Sequence, residues 1–388
     1  MKNPREWVGG RNIVVCSGPG GVGKTTVSAA IALAEARRGR KVLVLTIDPA
    51  RRLANALGLE RFESDVQRVP KEKLGGKFEG ELDAMMLDVK AEWDSVMRRY
   101  APDEGTLGRI LQNRMYQYIS DNLVGAQEFM AMERLHYLHS QGKYDLIVLD
   151  TPPTKHALDF LEAPRKLFQF LEDGAFVKVF LDSGRRGGIQ LLKMGTAAVF
   201  RILEPIIGKN VIQDIGEFVR SMETYYEGFR QRARATNELL ASEKTVFFLV
   251  TAPTPLALSE TRYFHQRLME AKIPFGGFVF NRVHGHAPGT AEDLEKARET
   301  FTNPETKARL LGKIEGDPAL GREWASLVDR LGTNFLNLET LAEVEEKKMT
   351  GLSDLLSSDQ FVVRVPIFDQ DIHDPAGLEL INSHLFQN

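Results

Sequence analysis

Seven short runs of this 388-residue chain are rich in Val, Ile, Leu and Phe, most of them nearly without interruption: 12–16, 41–46, 82–89, 145–149, 245–250, 277–281 and 360–365. Apolar runs of that length without polar alternation predict strands covered on both faces. Helical patterns lie between them. The chain therefore predicts an α/β fold, a mostly parallel central sheet flanked by helices, with ligands outside the carboxyl ends of the strands. Three stretches lack strand character. Two of them, 90–140 and 165–241, read as helical insertions that together form a helical subdomain. The third, 284–359, is charged and carries Pro288, Pro304 and Pro318, so it reads as surface helices and loops. All are expected to belong to one domain spanning 1–388. The apolar stretch 189–212 is interrupted by Lys193, Arg201 and Glu204 and broken by Pro205, which predicts an amphipathic helix and not a membrane span. Whether its apolar face packs inside or forms a groove for a partner stays open at this stage.

Between the first run and an Ala-rich helical pattern over 24–38 stands Gly18-Pro19-Gly20-Gly21-Val22-Gly23-Lys24-Thr25-Thr26. Gly18, Gly23, Lys24 and Thr25 satisfy G-x-x-x-x-G-K-[ST], and the strand before and helix after are the context that motif requires. The glycines let successive backbone N–H groups turn inward on phosphates, and the helix aims its positive end at the same anion. Lys24 is expected to reach the β- and γ-phosphates, and the Thr25 hydroxyl to ligate Mg²⁺. The rest of 18–26, Gly20, Gly21, Val22 and Thr26 included, is expected to line the nucleotide. Only one such loop occurs, so the fold expected is that of a P-loop NTPase.

Composition narrows the class without changing this picture. The hydrophobic content of 43% suits an ordinary globular core. A formal charge of −3 offers no field for nucleic acid. Residues 1–7 are polar and run into Gly9 and Gly10 without an apolar leader, which predicts a cytoplasmic protein. Cys16 is the single cysteine, leaving no internal disulfide and no Cys-rich metal site within one chain. Its place in a buried strand reads as core and not as a reactive thiol.

Two acids stand at strand ends. The second run ends in Thr46-Ile47-Asp48-Pro49-Ala50-Arg51-Arg52, where Asp48 either orients and deprotonates an attacking water, as one of the groups expected around Mg²⁺, or caps the next helix. The fourth ends in Asp150-Thr-Pro-Pro-Thr-Lys155-His156. Asp150 is expected to hold Mg²⁺ through a water or through Thr25, because Mg²⁺ keeps most of its hydration; the alternative is a structural cap. His156 either senses the γ-phosphate or is structural.

The phosphate loop, Asp48-Pro-Ala50, Gly125-Ala-Gln-Glu128, the 150–156 segment and Phe280-Asn-Arg-Val283 resemble, in order and spacing over nearly the whole chain, the family of arsenite-pump and tail-anchored-protein-targeting ATPases. That family is grouped with ParA/MinD and the nitrogenase iron protein, ATP-dependent dimeric switches with the site at the dimer face. The resemblance implies Mg²⁺-ATP hydrolysis, with Asp48 activating water in a first switch and 150–156 forming a second. It also implies that Asn281 hydrogen-bonds adenine, that Pro366 and Phe368 flank the base, and that Glu260 approaches the nucleotide across the dimer.

The chain departs from the family in several places. A second lysine after the first glycine, which reaches the partner's phosphates in the family, is Pro19 here, and the glycine before the switch-two histidine is Lys155. Arg51 or Lys155 could restore the charge in trans, or the subunit could pair with a paralogous ATPase that keeps the lysine. The C-x-x-C pair and the metalloid-sensing cysteines are missing, so arsenite stimulation is not expected. Met97, Met115, Met130, Met132, Met194 and Met222 fall in the helical insertions, as a groove for hydrophobic or membrane-protein clients or as ordinary core. The function expected is a dimeric switch ATPase. The alternative is a nucleotide-gated binding subunit with little turnover.

Overall fold

The computed structural model describes residues 3–48, 52–59, 65–75, 79–122, 126–152, 209–314 and 318–386. Its centre is an eight-stranded sheet: β1 Ile13–Ser17, β2 Lys41–Thr46, β3 Gln67–Arg68, β4 Glu81–Met86, β5 Leu146–Asp150, β6 Thr245–Thr251, β7 Phe275–Val283 and β8 Phe361–Pro366. The strand order is β3-β4-β2-β5-β1-β6-β7-β8. Every pairing is parallel except that of β3 with β4. Side chains along each strand alternate between two cores. Ile13, Val15, Leu43, Leu45, Ile147 and Leu149 face one, and Val14, Cys16, Val42, Val44, Leu146 and Val148 face the other. Strands buried on both faces account for the continuous apolar runs.

The second core is covered by α2, Lys24–Arg37, and by α14, Pro375–Leu385, which packs on α2 and β8. Cys16 lies in this core, and burial pushes its thiol up to about 12, as an inert core cysteine requires. Over the first core lie α5 Val89–Tyr100, α6 Glu104–Gln112, α7 Arg114–Asn122, α8 Ala126–Ser140, α9 Lys209–Leu240 and α10 Pro255–Glu270. Trp93, Phe129 and Phe229 meet there, from α5, α8 and α9, with ring centroids 5.3–6.1 Å apart. Met97, Met130, Met132 and Met222 are all buried in that core, and Met115 packs against it. Four of the six methionines are thus core-forming; Met194 lies outside the described residues.

Several boundaries differ from the sequence reading. The run 82–89 ends as a strand at Met86, because Asp88 caps α5, its side chain accepting from the Ala91 N–H. The two-residue β3 is too short to carry a pattern. The segment expected as proline-broken helices and loops forms three helices: α11 Ala291–Thr302, α12 Pro304–Ile314 and the 36-residue α13 Pro318–Ser353. Pro304 and Pro318 open helices instead of breaking them, because the first turn has no intrahelical use for the missing N–H. Three short helices flank the phosphate-loop half: α1, Pro4–Gly9, α3, Arg52–Ala56, and α4, Lys71–Leu74. No described helix is long and apolar enough to cross a membrane. The 189–212 stretch lies mostly outside the described residues.

Candidate functional site

The carboxyl ends of β1, β2, β7 and β8 surround a cleft of about 760 Å³. The loop after β1 forms its floor. Gly21 and Gly23 sit in the left-handed region at φ of 74° and 92°, which β-carbons disfavour. A Cβ on Gly18 would collide with the Val250 carbonyl of β6, and one on Gly23 with the Asn281 amide of β7. The loop therefore needs its glycines as much for close packing on neighbouring strands as for turning.

Lys24 is buried, and its ammonium donates to the Pro19 carbonyl at 2.9 Å. Burial lowers its pKa, with Asp150 and Asp48 opposing that effect and Arg52 adding to it. Thr25 donates to Asp150 Oδ2 at 2.7 Å, and Thr46 donates to the same oxygen at 2.8 Å. The register explains the meeting, since Asp150 on β5 pairs with Cys16 on one side and with Thr46 on the other. Asp150 has no solvent exposure, and burial pushes its carboxyl up to about 6 against the pull of the two hydroxyls and Lys24. Among the described residues its second oxygen, Oδ1, has no hydrogen-bond partner, although it is buried. An acid so placed has an acceptor to offer a hydrated cation beside Thr25, so the donor set fits Mg²⁺.

Of the residues singled out from sequence, Gly21, Gly23, Lys24, Thr25, Thr26, Asp48, Asn281, Pro366 and Phe368 line this one cleft. Gly18, Gly20, Val22 and Asp150 do not. Val22 is instead a core side chain whose carbonyl accepts from Asn281 Nδ2 at 2.8 Å. That bond leaves Asn281 its Oδ1 and one N–H for a ligand. Asp150 lies beneath the floor, behind Thr25. Glu260 sits on α10 and is not part of this wall. Arg51, Lys155 and His156 lie outside the described residues.

Residues that the sequence reading missed complete the wall. Arg52 and Asn55 come from α3, Arg282 from β7, and Gln370, Asp371, Ile372 and His373 from the segment after β8. Arg282 has φ of 58° and donates from Nη1 to the Gly21 carbonyl at 3.3 Å, turning a cation over the loop. Thr46 was legible only as a strand residue. The signal for Arg52 was its place in the first turn after Asp48; for 370–373 there was none.

Residues 11–302 match the family model for anion-transporting ATPases. Among relatives, an ATPase GET3 from Podospora anserina is 28% identical over 71% of this chain and 74% of its own length. An ATPase GET3 from Malassezia globosa is 23% identical over 96% of this chain and 90% of its own. A putative arsenical pump-driving ATPase 1 from Aquifex aeolicus is 25% identical over 64% of this chain and 58% of its own. A match across three quarters of the chain, taking in the glycine loop and the buried acid, means that this protein belongs to the anion-transporting ATPase family.

Proposed function

We propose that this ATPase hydrolyses Mg²⁺-bound ATP in the cleft after β1, with Asp48 orienting and deprotonating the attacking water. The phosphates lie on the 18–26 loop, and the base lies between Asn281 and the Pro366–Phe368 segment. The observation that carries the reading is the Thr25–Asp150–Thr46 cluster, whose buried Oδ1 has no hydrogen-bond partner among the described residues. Thr25, and Asp150 through water, would hold Mg²⁺, which supplies neutralising charge at the β- and γ-phosphate oxygens. Lys24 exchanges its contact with the Pro19 carbonyl for a phosphate oxygen. Arg52, on the cleft wall of the same chain, supplies in cis a further cation of the kind lost at Pro19. Asp48 shares that wall with Lys24 and Thr25, as phosphoryl transfer by positioning requires.

The working unit is a cytoplasmic dimer, of two copies or with a paralogous ATPase. Its turnover is coupled through the helices over the first core to hydrophobic or membrane-protein clients. The family resemblance and the size of that helical layer support this finer reading. Binding of a labelled transmembrane peptide that changes with nucleotide state is its test, and unchanged fluorescence in all states would end it. For the chemistry, steady-state turnover is measured with Mg²⁺ and with chelator, beside Asp48→Asn. The expected result is Mg²⁺-dependent turnover that falls by about 100-fold or more in the variant while ATP binding persists. An Asp48→Asn variant as active as the parent would refute it.

A further inference from the structure

Asp48 stands just beyond the end of β2, where the ladder stops supplying hydrogen bonds. Thr46 is the last residue paired across the sheet, and its carbonyl accepts from Leu87 at 2.9 Å. Ile47 follows with 1% exposure, so both of its backbone groups need partners inside the protein. Its N–H donates to the Asp150 carbonyl at 3.1 Å. Its carbonyl accepts from Nε2 of Gln127 at 2.6 Å, a side chain 80 residues away on the first turn of α8.

The next bond is made on the other side of the same peptide unit, where the Asp48 N–H donates to Thr46 Oγ1 at 3.2 Å. A peptide unit is planar, so holding its oxygen and its N–H fixes the whole plane and the direction in which the following Cα carries its side chain. The Ile47–Asp48 unit is held at both ends, by Gln127 and by Thr46. The Thr46 hydroxyl is itself spent on Asp150. Gln127 is therefore one contribution of the helical layer to the placement of Asp48. α8 is an anchored support, since Glu128, Phe129, Met130 and Glu133 are all buried.

We infer that Gln127 is a positioning residue for the hydrolytic step, clamping the Ile47–Asp48 peptide so that the Asp48 carboxylate meets the attacking water. This rests on the proposed role of Asp48. Without the clamp, the Ile47 carbonyl is left buried and unpaired, the plane can turn, and the carboxylate leaves the line of attack. Binding of ATP makes no use of this contact.

The test is carried out on the full chain with Gln127→Met, close in shape but without a donor, and with Asp48→Asn alongside. Single-turnover hydrolysis of Mg²⁺-ATP reads the chemical step, and titration with a fluorescent ATP analogue reads binding. The expected result for Gln127→Met is hydrolysis slowed about tenfold, the scale of one lost hydrogen bond. ATP affinity stays within twofold and the melting point within a few degrees. Gln127→Asn, a methylene too short for the contact, behaves the same way and decides the matter if Gln127→Met does not fold. Hydrolysis within twofold of the parent in these variants, or a loss of rate matched by a loss of ATP affinity, overturns the inference. An active Asp48→Asn overturns the premise and the inference together. An inactive Asp48→Asn beside unaffected Gln127 variants removes the role of Gln127 alone.

Discussion

Replacing Glu133 by Gln should flatten the pH dependence of stability. Glu133 lies on α8 with its side chain 2% exposed and accepts from Arg232 Nε of α9 at 2.7 Å. The Arg232 guanidinium lies over the Tyr100 ring at 3.8 Å. Burial pushes the Glu133 carboxyl up to about 7 from 4.5; Arg232 pulls it back and Glu92 adds to the rise. The folded protein therefore holds this proton more tightly than the unfolded chain does. The resulting stabilisation is complete below pH 4.5 and is lost as pH rises through about 7, on the order of 3 kcal/mol across that window. Gln cannot titrate, so the variant should gain on the parent by about that amount between pH 4.5 and 8. Urea unfolding at several pH values measures it. Trp93 fluorescence is a suitable probe, since its ring lies within 6.1 Å of Phe129 and Phe229 in the same layer. Parallel curves for parent and variant would refute the argument that burial, more than Arg232, governs this carboxyl.

Two further substitutions probe the cleft. Gly23→Ala places a β-carbon at φ 92° and against the Asn281 amide, breaking its bond to the Val22 carbonyl. A destabilisation of about 2 kcal/mol and at least a tenfold loss of nucleotide affinity are expected, and unchanged binding of a fluorescent nucleotide would contradict it. Thr46→Val keeps the shape of the strand but removes the donor to Asp150 and the acceptor for the Asp48 N–H. Melting should drop by an amount equivalent to about 1–3 kcal/mol and turnover by more than tenfold; a variant as active as the parent would mean that Asp48 is held in some other way.

The sheet was legible because its strands are buried on both faces, which writes them as apolar runs; β3, two residues at the edge, leaves no such mark. The glycine loop was legible because its chemistry demands a fixed spacing. What stayed hidden depends on neighbours remote in sequence. Thr46 looks like any β-former until Asp150 is set beside it by register. Gln127, within the Gly125–Glu128 motif, shows no role of its own until the Ile47 carbonyl appears opposite. The prolines at 304 and 318 read as breaks because a helix start and a helix stop tolerate the same residue. The methionines of the insertions satisfied two patterns at once, and only packing separates a groove from a core; Met97, Met130, Met132 and Met222 resolve as core.

The glycine loop is a local motif completed by remote chain. Gly18 lies against the Val250 carbonyl, Val22 is held by Asn281 259 positions later, and Trp7 reaches the Asp359 carbonyl across 352. Such contacts close only after long loops have given up their entropy. β1, β2, β4 and β5 alone would bring together the lysine and the buried acid but not the wall that holds the loop in shape. Nucleotide affinity therefore depends on β6 and β7 being docked against the loop. ATP at a hundred times its dissociation constant stabilises the fully docked chain by about 2.7 kcal/mol, so bound nucleotide and the docking of β6 and β7 against the loop reinforce each other.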